Sequence, residues 1–586
     1  MKEKWVIKNR KADFDRIMSE CGVSEVLARC LVNRGYEESE EIKNYLFPDR
    51  LMLHDPLLMK DMEKACDLLQ VKIKEGRRIR IIGDYDVDGV VSTYILYRTL
   101  KRLGATVDYD IPDRIKDGYG INIRMVEAAR EAGVDTILTC DNGIVAMDQI
   151  LTAKGYGMTV IVTDHHSLAE LPDGAVLLPE ADAIINPKQP ECTYPFQGLC
   201  GAAIAYKLIQ ALMKGISVAD KEAYLEELLS YTAIATVCDV MELIGENRFI
   251  VKRGIELLRD TRNKGLLALM EVCQVDKEQL STFHLGFVIG PCLNASGRLD
   301  TAKKGLELLL TEDDMEAGQL AGEVRGLNEV RKNMTAENVE KAIRLIEEGP
   351  LKQDKILVIY LQDCHESIAG IIAGRIRERY YRPTIILTDS EEGVKGSARS
   401  IEHYNMIEGL SRQRELLKKV GGHPMAAGLS LLPSNIETLR TRLNEGTELT
   451  EDMLIPKITI DALLPLGYLS EVLVDELKLL EPFGKGNEKP LFAEKDLRIK
   501  SAFVIGRNAS GLRFLFENQY GRQLEAVYFG DVEAFFDYIA RTYGESEALK
   551  LKTGKGSQLK LTITYYPKIN EYNGFKNVQL MIQNYR

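Results

Sequence analysis

Three short segments of this 586-residue chain place acids and imidazoles where they could work together. Asp84, Asp86 and Asp88 lie in GDYDVDG (83–89), Asp141 opens Asp141-Asn142-Gly143, and His165 and His166 follow Asp164. Each segment ends a short, β-branched run bounded by turn residues, at 78–83, 136–140 and 159–163. A helix-length stretch follows each run, which predicts βαβ units and a mostly parallel sheet. In such sheets ligands bind beyond the carboxyl ends of the strands, so three strands deliver these groups to one edge. Carboxylates brought close together repel and raise one another's pKa. Divalent metal is the simplest way to keep them ionised. Oxygen-rich ligands with one or two imidazoles suit Mn²⁺ or Mg²⁺ better than Zn²⁺ or Cu²⁺. The ligand count points to two ions, an arrangement in which metals hold a phosphate and generate hydroxide. Asp239, which closes the apolar helical run TAIATVCD, is a candidate fourth contributor.

Taken singly, some of these acids fit plainer roles. DxDxDG also occurs in calcium loops, but the EF-hand spacing requires Glu six residues after the glycine, and Ile95 stands there. An isolated Asp at a strand end is often a helix cap. Caps do not account for paired histidines on a third strand.

The elements that must position these groups belong to a chain long enough for three to five domains. Hydrophobic residues are 45% and charged residues 28%, which excludes wholesale disorder and fibrous repeats. The first fifteen residues are charged without an apolar stretch, so no signal peptide is expected, and no apolar run suits a membrane span. Ten scattered cysteines without a CxxC pair argue against a cysteine zinc site and suggest reduced thiols in a cytoplasmic protein. Residues 1–50 read as helical and charged. A charged, helically spaced stretch from about 300 to 347 predicts long connecting helices, and a second α/β pattern follows at 355–445. Beyond about 450, alternating runs such as LRFLF, LEAVYF and LKLTITYY predict an all-β barrel. Net charge is −12, yet residues 491–586 carry 14 Lys and Arg against 10 Asp and Glu. They also hold 16 of the 41 aromatics. A basic, aromatic-rich end on an acidic body fits a strand-binding module, and equally a small β domain with an aromatic core.

DYDVDG, TCDNG, DHH and the later Asp239 resemble the four motifs of the DHH phosphoesterases, and GGHPMAAG (421–428) is similar to the GGHxxAAG element of their DHHA1 domain. IPDRIKDGYG, YPFQGLCGAAIAYKL, GPCLNASGRLDTA, KGSARS and EPFGKGNEKPLF bring the likeness closest to the single-strand-specific exonucleases of that family. It covers roughly residues 50–586. The resemblance implies an α/β fold: a parallel-sheet DHH domain (51–300), connecting helices (301–347), a smaller α/β DHHA1 domain (348–450) and a C-terminal OB-like barrel (451–586), after an N-terminal helical segment (1–50). It further implies Mn²⁺- or Mg²⁺-dependent, 5′-to-3′ hydrolysis of single-stranded DNA in recombination and repair, by a monomer without membrane attachment. A helicase and a single-strand-binding protein are the candidate protein partners. Cys364-His365-Glu366-Ser367 departs from the Trp-His pattern frequent in the family, a change that bears on substrate packing near residue 364.

Carried over position by position, Asp86, Asp88, Asp141, His165 and Asp239 match metal ligands, with Asp141 as the bridge. Asp84 is a further ligand or water-orienting group, and His166 is placed to contact the scissile phosphate. In GSARS (396–400), Ser397 and Arg399 fall on one side of a strand and suit an anion. By resemblance they form a 5′-phosphate pocket with Arg298, Arg114 adds another phosphate contact, and His423 faces the metals across the cleft. For Arg298 and Arg399 the alternative is a salt bridge between lobes. In the barrel, Arg507, Arg513, Phe514 and Phe516 are candidates for base stacking, although alternation should bury one face of each strand. Gly484, Gly486 and Asn487 set a turn leading into the barrel. Two other functions compete: a small-substrate DHH hydrolase, which would have no use for the extra ~130 residues, and a non-catalytic DNA-binding scaffold, which would be expected to have lost motif acids present here.

Overall fold

The computed structural model describes residues 3–586 apart from 172–173, 217–218, 391–392, 507–508, 556 and 573. The Arg507 expectation lies outside the described residues. Two compact units emerge: Arg50–Pro456, and the two chain ends Met1–Asp49 with Lys457–Arg586.

The larger unit starts from a five-stranded parallel sheet. Its order is Thr106–Asp110, Arg78–Ile82, Thr136–Cys140, Thr159–Thr163, Ala183–Ile185. The three expected strands form its centre. Strand periodicity sends Ile79, Ile81, Leu138 and Ile161 into one apolar layer and Ile82, Ile137, Val160 and Val162 into the other, all of them buried. The two flanking strands carry weaker signals: TVDYD is polar and only partly buried, and AII is three residues long.

The predicted connecting helices are Lys303–Leu310 and the 35-residue Asp314–Glu348, whose first turn is capped by Asp313 accepting from Glu316 N. Along the long helix Ala317, Ala321, Val324, Asn328, Thr335, Asn338, Ala342 and Ile346 are buried at steps of three, four or seven, one helical stripe. Its early turns pack into the core of the parallel sheet and its late turns into that of the second lobe. That lobe is a mixed five-stranded sheet, ordered Leu417–His423, Ala426–Leu431, Gly393–Arg399, Thr384–Ser390, Leu357–Tyr360. Cys364 is buried in its core, against Ile368 and Ile372.

The smaller unit is a closed barrel. Phe492–Ile505 pairs with Gly511–Glu517 and also with Lys560–Tyr572, so the sheet returns on itself. Between its strands the chain inserts Val532–Tyr543 and Glu545–Lys552, helices signalled by the three- and four-residue spacing of buried Phe535, Phe536 and Ile539. The N-terminal helices Phe14–Cys21, Glu25–Asn33 and Ser39–Leu46 share the barrel's core. Buried Asn487 ties them together: its carbonyl accepts from Tyr45 Oη and Arg34 Nε, and its amide donates to Leu480 O and Pro482 O. The expected Gly484–Asn487 turn is present as a bridge between those residues. No described helix is long and apolar enough to cross a membrane.

Candidate metal centre and anion pocket

The strand-end acids converge. Asp86 caps the helix Val87–Arg102, accepting from Asp88 N and Gly89 N. Asp88, the second residue of that helix, accepts from Gly201 N and Ala202 N at 2.6 and 2.8 Å, the N-terminus of the helix Gly201–Met213. The Asp141 side chain accounts for the glycine: a Cβ at Gly201 would lie 2.6 Å from Asp141 Cβ. Asp84 accepts from Gly120 N. Asp141 has φ 61°, a left-handed conformation uncommon outside glycine, immediately after its strand.

His165 Nε2 lies 3.1 Å from Asp141 Oδ1, 3.6 Å from Asp88 Oδ2 and 3.7 Å from Asp239 Oδ2. Asp84, Asp86 and Asp141 offer a second set of oxygens within 4.8 Å of one another, and Asp141 belongs to both clusters. His166 also comes within 4.8 Å of Asp141 and His165. Asp141 Oδ1 and both nitrogens of His165 are buried without a hydrogen bond, including across the 3.1 Å approach, which lacks hydrogen-bond geometry. Orphaned buried polar atoms of this kind are costly. Burial and the charges of their acidic neighbours push Asp84, Asp86 and Asp141 upward. Burial drives His165 down to about 4, so its imidazole is neutral and its lone pair free. The donor set fits divalent cations.

Residues that the motif spacing did not single out hold this centre in place. Asp164 is not among the clustered oxygens. Its Oδ1 accepts from His165 N, His166 N and His166 Nδ1, and its Oδ2 from Ile144 N. Burial works against a charged His166, but the Asp164 bond and charge prevail and push it up to about 9. Asn142 donates to Ile82 O and Cys140 O and accepts from Ile121 N, joining two strand ends to the GYG loop. Tyr119 Oη donates to Asp141 O and lies 3.0 Å from His166 Nδ1. Lys188 Nζ reaches His165 O. Asp164 and Asn142 stand inside the DHH and DNG segments, so their adjacency to candidate ligands was the available signal. Nothing in the sequence marks Lys188.

The expected phosphate contacts also come together. A cavity of about 250 Å³ is lined by Tyr85, Arg114, Ser367, Lys395 and Ser397 among others. Arg114 lies over the Tyr85 ring at 4.6 Å, and Arg298 Nη1 donates to Ser367 O at 2.6 Å. Arg399 Nη2 would come within 2.9 Å of a Cβ at Gly370, so the guanidinium lies against bare backbone. Burial, then Arg114 and Arg331, pull Arg298 down to about 10; burial, Arg377 and Arg114 likewise lower Arg399. Among the described residues none of Arg114, Arg298 and Arg399 forms an ion pair with a carboxylate. The lobe-bracing salt bridge considered for Arg298 and Arg399 is therefore not what the fold builds. His423 is exposed at the end of its strand, paired with Ala426, and is not part of the acidic cluster.

In the barrel the stacking assignment needs correction. Phe514 and Phe516 are 2% and 0% exposed and stack on each other in the core, because Leu512, Phe514 and Phe516 share the inward side of their strand. Arg513 points outward, 5.8 Å from the ring of Phe503, its cross-strand partner and itself 45% exposed.

Comparison with known proteins agrees with this layout. Family models match the DHH family N-terminal domain over residues 78–236, the DHHA1 domain over 353–448 and the RecJ OB domain over 460–584. The single-stranded-DNA-specific exonuclease RecJ of Bacillus subtilis is 36% identical over 99% of this chain and 70% of its own length. That of Escherichia coli is 32% identical over 100% and 99%. The crystal structure of Thermus thermophilus RecJ in complex with Mn²⁺ superimposes with a TM-score of 0.80 at 26% identity, covering 100% of this chain and 79% of that one. A Mg²⁺ complex of the same protein gives a TM-score of 0.75. With matching architecture and with these relatives aligned along nearly its whole length, the chain belongs to the RecJ family of the DHH phosphoesterases.

Proposed function

We propose that this protein is a metal-dependent exonuclease that hydrolyses single-stranded DNA from its 5′ end, in the cytoplasm, in recombination and repair. The carrying observation is the juxtaposition of two oppositely charged clusters in one unit: largely buried acids and a neutral imidazole with orphaned atoms, and half-buried arginines without carboxylate partners. Asp84, Asp86, Asp88, Asp141, His165 and Asp239 would hold Mn²⁺ or Mg²⁺, with Asp141 shared. Such ions supply positive charge that neutralises a phosphodiester and acidifies the attacking water.

The chain's own groups do the rest. Asp164 keeps His166 protonated and fixes its ring, so that its remaining N–H faces the phosphate undergoing substitution. Arg114, Arg298, Ser397 and Arg399 hold the terminal 5′ phosphate and thereby set where on the strand cutting begins. His423, carried by the second lobe, faces the metals across the cleft and steadies charge on the phosphate undergoing substitution. In the barrel, Arg513 above Phe503 is the strand-holding surface.

Digestion of 5′-labelled and 3′-labelled single strands with Mn²⁺, Mg²⁺ or chelator tests the reading. Early release of the 5′ label, only with metal, is expected. Early 3′ release or chelator-resistant activity would overturn it.

A further inference from the structure

Helix Gly290–Leu299 joins both halves of the site. Asn294 Oδ1 accepts from Val87 N, between Asp86 and Asp88. Arg298, four residues on, donates to the carbonyl of Ser367, which lines the anion pocket. Between them Gly297 packs so closely that an added Cβ would meet Tyr85 O at 2.3 Å. The helix has little room to move without disturbing both ends of the site.

Near the start of this helix sits Cys292, 1% exposed, with its Sγ 3.7 Å from Sγ of Cys273. Cys273 ends the helix Lys264–Val272 and is partly exposed. Asn328 of the long helix donates to Cys292 Sγ at 3.3 Å. One thiol is thus open to small reagents and the other is held beside it. A disulfide needs the sulfurs at about 2.05 Å, a closure of roughly 1.7 Å.

We infer that Cys273 and Cys292 form a peroxide-reactive dithiol whose closure to a disulfide shifts the Gly290–Leu299 helix and slows the exonuclease. The consequence for activity rests on the function proposed above; the modification site does not. The hydrogen bond from Cys292, against the effect of burial, and then Arg325 and Lys332 bring Cys273 down to about 7, so a large fraction is thiolate at neutral pH. That thiolate attacks one oxygen of hydrogen peroxide, the O–O bond breaks and hydroxide leaves, giving a sulfenic acid on Cys273. Cys292 sulfur then attacks Cys273 sulfur, the S–O bond breaks, and water leaves with the Cys292 proton. Two thiols and one peroxide become one disulfide and two waters. Thiol exchange with a small reductant reverses the change.

The closing displacement falls on the helix start, two residues before Asn294 and six before Arg298. Its expected effect is a several-fold loss of kcat/KM on 5′-phosphorylated strands.

The test treats the full-length protein with peroxide in metal-free buffer, removes the peroxide, and divides the sample. Peptide mass spectrometry after alkylation should find the Cys273 and Cys292 peptides linked, and assay with Mn²⁺ should find activity reduced and restored by dithiothreitol. Cys273→Ser should retain activity and resist peroxide. Failure to recover the linked peptide while other thiols oxidise would overturn the site. A linked peptide with unchanged kcat/KM, or equal peroxide sensitivity in Cys273→Ser, would overturn the coupling. Because linkage is read by mass, a failed nuclease assignment leaves that half of the result standing.

Discussion

The acidic cluster and the arginine pocket are near mirror images that differ in how they are held. In both, burial and like-charged neighbours penalise the charged form: carboxylates are pushed up and guanidinia pulled down. The acids, however, are pinned by backbone N–H groups of Gly89, Gly120, Gly201 and Ala202, all on or beside one sheet edge. The arginines come from a loop, a helix and a second-lobe strand, and Arg298 and Arg399 each donate to one carbonyl. Carboxylates with fixed positions and a few free lone pairs suit a resident cation. Guanidinia with most of their donors uncommitted suit an anion that arrives and leaves. Placing charge of one sign in a buried cluster is unfavourable until its counter-charge binds, so each cluster is a functional commitment rather than a source of stability.

Breaking the acidic side should have the largest effect. Asp141→Ala removes the carboxylate shared by both groups of ligands. Metal-assisted charge stabilisation contributes several kcal/mol, so kcat should fall about a thousandfold or more, with DNA affinity largely kept. Single-turnover assays at saturating Mn²⁺ measure this, and near-normal turnover would remove the shared-ligand assignment.

The arginine side should respond more weakly and more selectively. Arg399→Ala removes a charge-assisted contact of about 1.5–3 kcal/mol, roughly ten- to a hundredfold in kcat/KM. The loss should be confined to strands bearing a 5′ phosphate, since a 5′ hydroxyl offers no terminal dianion. Matched strands with either end, at one salt concentration, provide the comparison. Equal losses on both would place Arg399 on an internal phosphate instead.

The two clusters were also unequally legible in the sequence. The acids were readable because strand ends, turn residues and motif spacing all put them on one edge. Asp164 illustrates the limit: its position beside His165 was visible, but only folding shows its oxygens turned toward backbone N–H groups and His166 rather than the cluster. The arginines depended on the family likeness, because no local rule brings residues 114, 298 and 399 together. In the barrel, alternation was legible but its phase was not. Outward Arg513 and inward Phe514 and Phe516 were proposed as one surface, and register decides between them. Likewise nothing in residues 14–46 signals that their apolar faces complete the core of a barrel more than 400 residues away; that pairing is wholly tertiary. The phase correction can be checked directly. Phe503→Ala should weaken binding to long single strands by about 1 kcal/mol, roughly fivefold, with Tm unchanged. Phe514→Ala should instead destabilise the barrel by about 3–5 kcal/mol. If Phe514→Ala melts normally but binds poorly, the inward assignment fails.

The smallest expected effect tests the idea that the acidic cluster is held against its own repulsion. Asp84 is buried, raised well above the ordinary carboxylate range by that burial and by Asp86, and accepts from Gly120 N through one oxygen. Asn at this position keeps the acceptor and the shape while removing the charge. In chelator at pH 8, Asp84→Asn should therefore be more stable than the wild type, by about 0.5–2 kcal/mol, the range in which a functionally strained site yields to a stabilising change. With Mn²⁺ the order should reverse, since a ligand that binds only the native state at a hundred times its Kd adds about 2.7 kcal/mol to the wild type. The variant, having lost one oxygen anion, gains less from the same ion. Paired thermal melts with and without Mn²⁺ measure both signs. A variant that melts below the wild type in chelator would mean that hydrogen bonding to the Asp84 carboxylate outweighs its repulsion, and the mirror relation with the arginine pocket would then hold in charge but not in energy.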